Sequence, residues 1–175
     1  MTLTSWLVII GGFIAAAILS VGAEPAPSAG DSGEPAPAPA PDTPPAASSA
    51  DVSPGVMRLA AAISVAEGYG ADPSNAPTRA NNPGSLKIAG YPVTGAEGIS
   101  VFPTPQAGWN ALYLQVQEIL SGESKHYTSD MTIAQMAAEY TDTQGVNWAA
   151  NVVATLRITG VPGATTGTTI AEATV

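Results

Sequence analysis

Glu67 closes the segment Ile63-Ser64-Val65-Ala66-Glu67-Gly68, and a little further on the chain reads Asn81-Asn82-Pro83-Gly84-Ser85-Leu86-Lys87. A carboxyl group at the end of an apolar helix can do proton chemistry. Burial raises its pKa, and the negative end of the helix dipole pushes in the same direction. Held neutral, such a group donates a proton, and glycosidic cleavage needs that donor at the leaving oxygen. Glu97, in the turn Thr94-Gly95-Ala96-Glu97-Gly98, is the candidate second carboxylate, placed to position water or to stabilise positive charge on a sugar; an exposed turn acid accounts for it equally. Without Glu97, a substrate that supplies its own nucleophile needs Glu67 alone. Tyr69 and Tyr91, in the loops flanking Glu67 and the hairpin, are candidates for stacking on sugar faces. Asn81 and Asn82 hold a turn, because Asn tolerates left-handed geometry, and Asn82 is also a candidate for contact with sugar or peptide.

Four helices and a hairpin must position these groups. Val56, Leu59, Ala60, Ile63 and Ala66 follow helical spacing, with Ser53 as N-cap, Pro54 at the first helical position and Gly68 as the stop. The stretch GYGADPSNAPTRANNPG is too polar and interrupted to be regular. Ser85–Ile88 and Ile99–Phe102 read as short strands, with Tyr91–Val93 between them. A second helix runs from the Thr104-Pro105 cap to about Ser121, with Trp109, Leu112, Tyr113, Val116, Ile119 and Leu120 on its apolar face. Asp130 or Thr132 caps a third helix, whose face is Ile133, Met136, Ala137 and Tyr140. A fourth begins near Val146 or Asn147, carries Trp148, Val152 and Leu156, and ends at Gly160, Pro162 and Gly163. Trp109 and Trp148 read as core side chains rather than sugar platforms. The expected fold is mainly α with a small β-hairpin lobe, and the cleft between hairpin and helices suits an extended ligand.

The rest of the 175-residue chain lies outside this domain. Trp6–Ala23 is an almost unbroken apolar run, reaching about 27 Å as a helix, close to the hydrocarbon thickness of a bilayer. It reads as an uncleaved membrane anchor, with a cleaved signal ending at Val21-Gly22-Ala23 as the rival; its flank MTLTS carries no Lys or Arg. Residues 24–52 form a Pro/Ala-rich linker of extended character, and 161–175 a loose Thr/Gly/Ala-rich tail. Five of the fourteen acids behind the net charge of −9 sit in the linker, so the domain at 53–160 is only mildly acidic. Its basic residues Arg58, Arg79, Lys87, Lys125 and Arg157 are scattered, which argues against nucleic acid as a partner. The chain has no cysteine, and its one histidine, His126, makes no usual zinc site, so neither metal nor cofactor is expected. No nucleophile elbow accompanies the Ser, His and Asp residues, which disfavours a serine hydrolase.

Glu67 at a helix end, NNPGSLK, a Gly-rich hairpin, ISVFPTPQAGWNAL and an Ala-rich helix ending in Tyr140 together resemble the lysozyme-like peptidoglycan hydrolases. The likeness is greatest to phage virion lytic proteins, which carry an NNPGN-type turn and a similar Phe-Pro…Gly-Trp segment; bacterial glucosaminidase autolysins are more distant. It covers about residues 54–158. Ser85 stands where those proteins usually carry Asn, and Lys87 where many carry Arg. The resemblance implies a lysozyme-like α+β fold and a murein hydrolase or lytic transglycosylase with Glu67 as general acid and Tyr140 turned into the cleft. A murein endopeptidase on the same fold, or a non-catalytic wall-binding or virion structural protein, stays open beside it. The implied partners are peptidoglycan and, through residues 6–23, a lipid membrane. The domain would then face the wall from a virion's internal lipid layer or from a host cell envelope.

Overall fold

A computed structural model describes residues 52–95, 98–141 and 145–175. Ser53 starts the first helix as expected: its side chain accepts from Val56 N–H at 3.2 Å, and Pro54 takes a position where no amide is needed. Helix α1 (Pro54–Ala66) buries Val56, Leu59, Ala60, Ala62 and Ile63, and Glu67 is its C-cap. Gly68 follows at φ 73, a left-handed conformation that ends the helix. Helix α3 (Pro105–Ser121) begins at the Thr104 cap and stops at Gly122, φ 79. Helix α4 (Ile133–Tyr140) is capped by Thr132, and α5 (Gly145–Thr159) follows it. The core gathers Leu59 and Ile63 of α1, Leu112, Val116 and Ile119 of α3, Met136 of α4 and Val152 and Leu156 of α5. Central α1 packs on both α3 and α5, with α4 on the flank of α5.

The polar stretch after Gly68 is more regular than its composition suggests. A one-turn helix α2 (Ala76–Arg79) forms there, because Asn75 caps it through Thr78 N–H at 2.9 Å while its own amide donates to the Gly68 carbonyl at 2.6 Å. Among the described residues two short strands form, β1 (Val93–Thr94) and β2 (Ile99–Ser100), paired antiparallel with Val93 opposite Ser100 and Thr94 opposite Ile99. Ser85–Ile88, expected as a strand, is not one. Its backbone is held instead by Ser100, whose N–H donates to Leu86 C=O at 2.8 Å and whose hydroxyl accepts from Ile88 N–H at 2.7 Å.

The tail expected to be loose is folded back onto the domain. Thr168 and Thr166 carbonyls accept from Ile133 and Ala134 N–H, each at 2.9 Å, satisfying donors that the first turn of α4 would leave orphaned. Helix α6 (Ile170–Ala173) then buries Ile170 and Ala173, and the Thr174 carbonyl lies where a Cβ on Gly55 would be 1.7 Å away. Arg58 fastens the end by donating to the Val175 carbonyl at 2.8 Å. The architecture is mostly helical with one small antiparallel sheet, an α+β arrangement. Among the described residues no helix is long and apolar enough to cross a membrane, and the apolar run at 6–23 lies outside them, as does nearly all of the linker.

Candidate functional site

Glu67 is half-buried at the carboxyl end of α1, where helix dipole and neighbours both act on its charge. The Trp148 indole N–H, on α5, donates to Glu67 Oε1 at 2.6 Å. Trp148 is 4 % exposed, so its polar edge must find an acceptor within the protein, and a carboxylate is the strongest one available. Tyr140, the last residue of α4, stacks on the same indole with ring centroids 4.9 Å apart at 27°. Its hydroxyl donates to the Gly84 carbonyl of the Asn-Pro-Gly turn at 2.5 Å. Tyr127, in the loop before α4, continues the row at 6.0 Å from Tyr140. Burial drives the Tyr140 phenol well above its ordinary pKa, with the charges of Glu67 and Tyr127 adding to it. The Tyr127 phenol is also pushed up, by burial first and then by Glu139 and Glu67. Both effects place these rings within the field of the Glu67 carboxylate.

The turn that meets Tyr140 is built by its two asparagines. Asn81 adopts φ 51, as its tolerance of left-handed geometry allows, and donates to the Phe102 carbonyl at 3.0 Å. Asn82 is fully buried. Its amide nitrogen donates to Leu86 C=O at 2.9 Å and Ser100 C=O at 2.8 Å, and its oxygen accepts from Leu86 N–H at 2.8 Å. Both donors are therefore engaged internally, and the expected contact of Asn82 with sugar or peptide gives way to support of the turn. Gly108, in the Gly-Trp pair of α3, has a steric reason too: a Cβ there would lie 1.8 Å from the Asn81 carbonyl oxygen.

A second aromatic row starts two residues past Glu67. The half-buried Tyr69 meets Trp109 edge-on at 5.9 Å and 82°, and Trp109 meets Tyr113, one turn along α3, at 5.8 Å. Tyr91 lies instead on the hairpin lobe, its ring 5.0 Å from the buried Phe102. Glu97 lies outside the described residues. The structure thus brings Glu67 and Tyr140 into one cluster and adds Trp148, which reads from the sequence as a core side chain, and Tyr127, which the sequence pattern does not single out. The signal for Trp148 lay in its chemistry: a buried indole carries a donor that a purely apolar neighbourhood cannot satisfy. Among the described residues no three His, Cys, Asp or Glu side chains gather as a metal site. Comparison with protein families, with curated proteins and with solved structures finds no match to this chain.

Proposed function

We propose that this protein cleaves the glycan strand of peptidoglycan, as a hydrolase or lytic transglycosylase, with Glu67 as general acid. The observation that carries the reading is the setting of Glu67: one carboxyl, half-buried at a helix end, held by a buried indole and linked through Tyr140 to the Asn-Pro-Gly turn. A carboxyl fixed in this way is poised to protonate a glycosidic oxygen, and the N-acetyl group of the substrate can supply the internal nucleophile. Tyr69, two residues past Glu67, and Trp109, which it meets edge-on, offer aromatic surface for sugar rings. The chemistry fits a chain tethered at a membrane, in a virion or a cell envelope, with its domain reaching the wall through the Pro/Ala-rich linker.

Incubating the full chain with purified murein sacculi should release soluble fragments, and Glu67→Gln should reduce that release at least about a hundredfold. Equal activity of Glu67→Gln would overturn the assignment. Mass analysis separates anhydro-sugar ends, reducing ends and free amines, and free amines alone would mark an endopeptidase instead. Sedimentation with sacculi without fragment release would mark a binding protein.

A further inference from the structure

Resting on the reading of Glu67 as the acid, we infer that Trp148 is a positioning residue for that carboxyl, and that Tyr140 ties its orientation to the Asn-Pro-Gly turn. Three contacts form one line. The Gly84 carbonyl accepts from the Tyr140 hydroxyl, the Tyr140 ring stacks on the Trp148 indole, and the indole N–H donates to Glu67 Oε1. Every link is short or face-to-face, and Trp148 is 4 % exposed, so the indole has little freedom to rotate away. A glutamate side chain has several staggered rotamers open to it. Anchoring one oxygen to a rigid, buried donor fixes the plane of the group, which is what proton delivery to a defined atom requires. The line also explains why a turn remote in sequence from Glu67 belongs with it: the turn's carbonyl sets the height of Tyr140, and Tyr140 sets the face of Trp148.

Replacing Trp148 by Phe keeps a ring for Tyr140 to stack on and removes only the donor and part of the ring area. The rate of fragment release should fall about tenfold or more, the equivalent of one charge-assisted hydrogen bond. The alkaline limb of the rate profile, where a general acid loses its proton, should meanwhile move to higher pH, because the carboxylate has lost a group that stabilised it. A merely structural role lowers the rate without moving that limb. Burial and then the charge of Glu67 hold up the Tyr140 phenol, while burial, Glu139 of α4 and Glu67 hold up that of Tyr127. Glu139→Gln therefore serves as the control.

A direct readout needs no substrate. With indole-labelled tryptophan in the full chain, the Trp148 N–H resonance should shift with pH across the carboxyl range in the wild type and in Glu139→Gln, and stay flat in Glu67→Gln. Should Trp148→Phe fail to fold, Trp6→Phe and Trp109→Phe assign the remaining resonance, and the wild-type titration decides. A flat Trp148 resonance in the wild type would overturn the inference, as would an unchanged rate and profile in a folded Trp148→Phe protein. Sacculi left intact by the wild type would end the hydrolase reading, whereas a titrating indole would still establish the clamp.

Discussion

The helical frame and the hairpin lobe are held together by different means. In α1, α3 and α5 the backbone satisfies itself, and the side chains are left to pack: Leu59, Leu112, Val116, Val152 and Leu156 are all fully buried and make no polar contact. In the lobe the ladder is two residues long on each strand, and side chains do the work of a sheet. Asn82 bonds three backbone groups, and the Ser100 hydroxyl both accepts from Ile88 N–H and donates to Ile88 C=O. The frame is therefore tolerant of apolar exchange, while the lobe depends on a few polar atoms that nothing else replaces. The candidate site spans that division: Glu67 and Trp148 belong to the frame, and the Gly84 carbonyl that anchors Tyr140 belongs to the lobe.

The sharpest way to break the arrangement is at the joint between the two regions. Gly108 lets α3 approach the turn so closely that a Cβ would stand 1.8 Å from Asn81 O and 2.9 Å from Pro83 Cδ. Backbone on one side and a proline ring on the other leave nothing flexible to give way. Gly108→Ala should cost about 4 kcal/mol or more, read as a lower urea midpoint, and should detach the turn from the frame. A substitution of near-zero cost would mean that the helix and turn are not locked together.

Within the lobe, Asn82→Ala is the next largest effect. It removes the side chain that satisfies Leu86 N–H, Leu86 C=O and Ser100 C=O in a site closed to water. The expected cost is roughly 3 kcal/mol, from the buried Leu86 N–H left without its acceptor and the lost bonds to the Ser100 and Leu86 carbonyls, the latter keeping only the Ser100 N–H. Hydrogen exchange should localise the loss: amides of Leu86 and Ser100 exchange faster, while those of α1 and α5 keep their protection relative to global stability. Uniform loss across the frame would show that lobe and helices unfold as one unit.

The contrast between the regions explains what was legible in the sequence. Apolar spacing and caps gave α1 and α3 nearly residue for residue, because a helix declares itself through local rules: Ser53-Pro54 and Thr104-Pro105 at the starts, Gly68 and Gly122 past the ends. The lobe carries no such rule. Ser85–Ile88 has the composition of a strand, but its partners are an asparagine amide and a serine hydroxyl, whose targets lie up to eighteen residues away. The tail hides its order for a related reason. Thr, Gly and Ala offer little apolar area, yet their carbonyls cap α4, and the signal that could have shown an ordered helix was the capping box Thr169-x-x-Glu172. At the site, Glu67 and Tyr140 stood out by position, whereas Trp148 looked like one more core aromatic; its role lies in a hydrogen bond that spans 81 residues of sequence.

The smallest expected effect has the opposite sign and sharpens the same contrast. Among the described residues only Asn81 and Ser85 adopt a positive φ without being glycine, at 51 and 49, and both lie in the turn. Asn81 suits that conformation, which asparagine adopts more readily than most residues, and its amide donates to the Phe102 carbonyl across the lobe. Ser85 is less suited to it, and its N–H bond to Asn82 C=O is a long 3.2 Å. Left-handed geometry costs an ordinary residue roughly 1 kcal/mol, and asparagine pays less of it than serine. Ser85→Asn should therefore stabilise the protein by about 0.5 kcal/mol and raise its melting temperature by about 2 °C. The half-buried position leaves room for the larger side chain to reach solvent. Because the strain sits in the lobe, the gain should appear as slower exchange of the Leu86 and Ile88 amides, with α1 and α5 unchanged relative to global stability. A lower melting temperature would show that the turn holds Ser85 for its size, and that the polar lobe is packed as tightly there as the frame is.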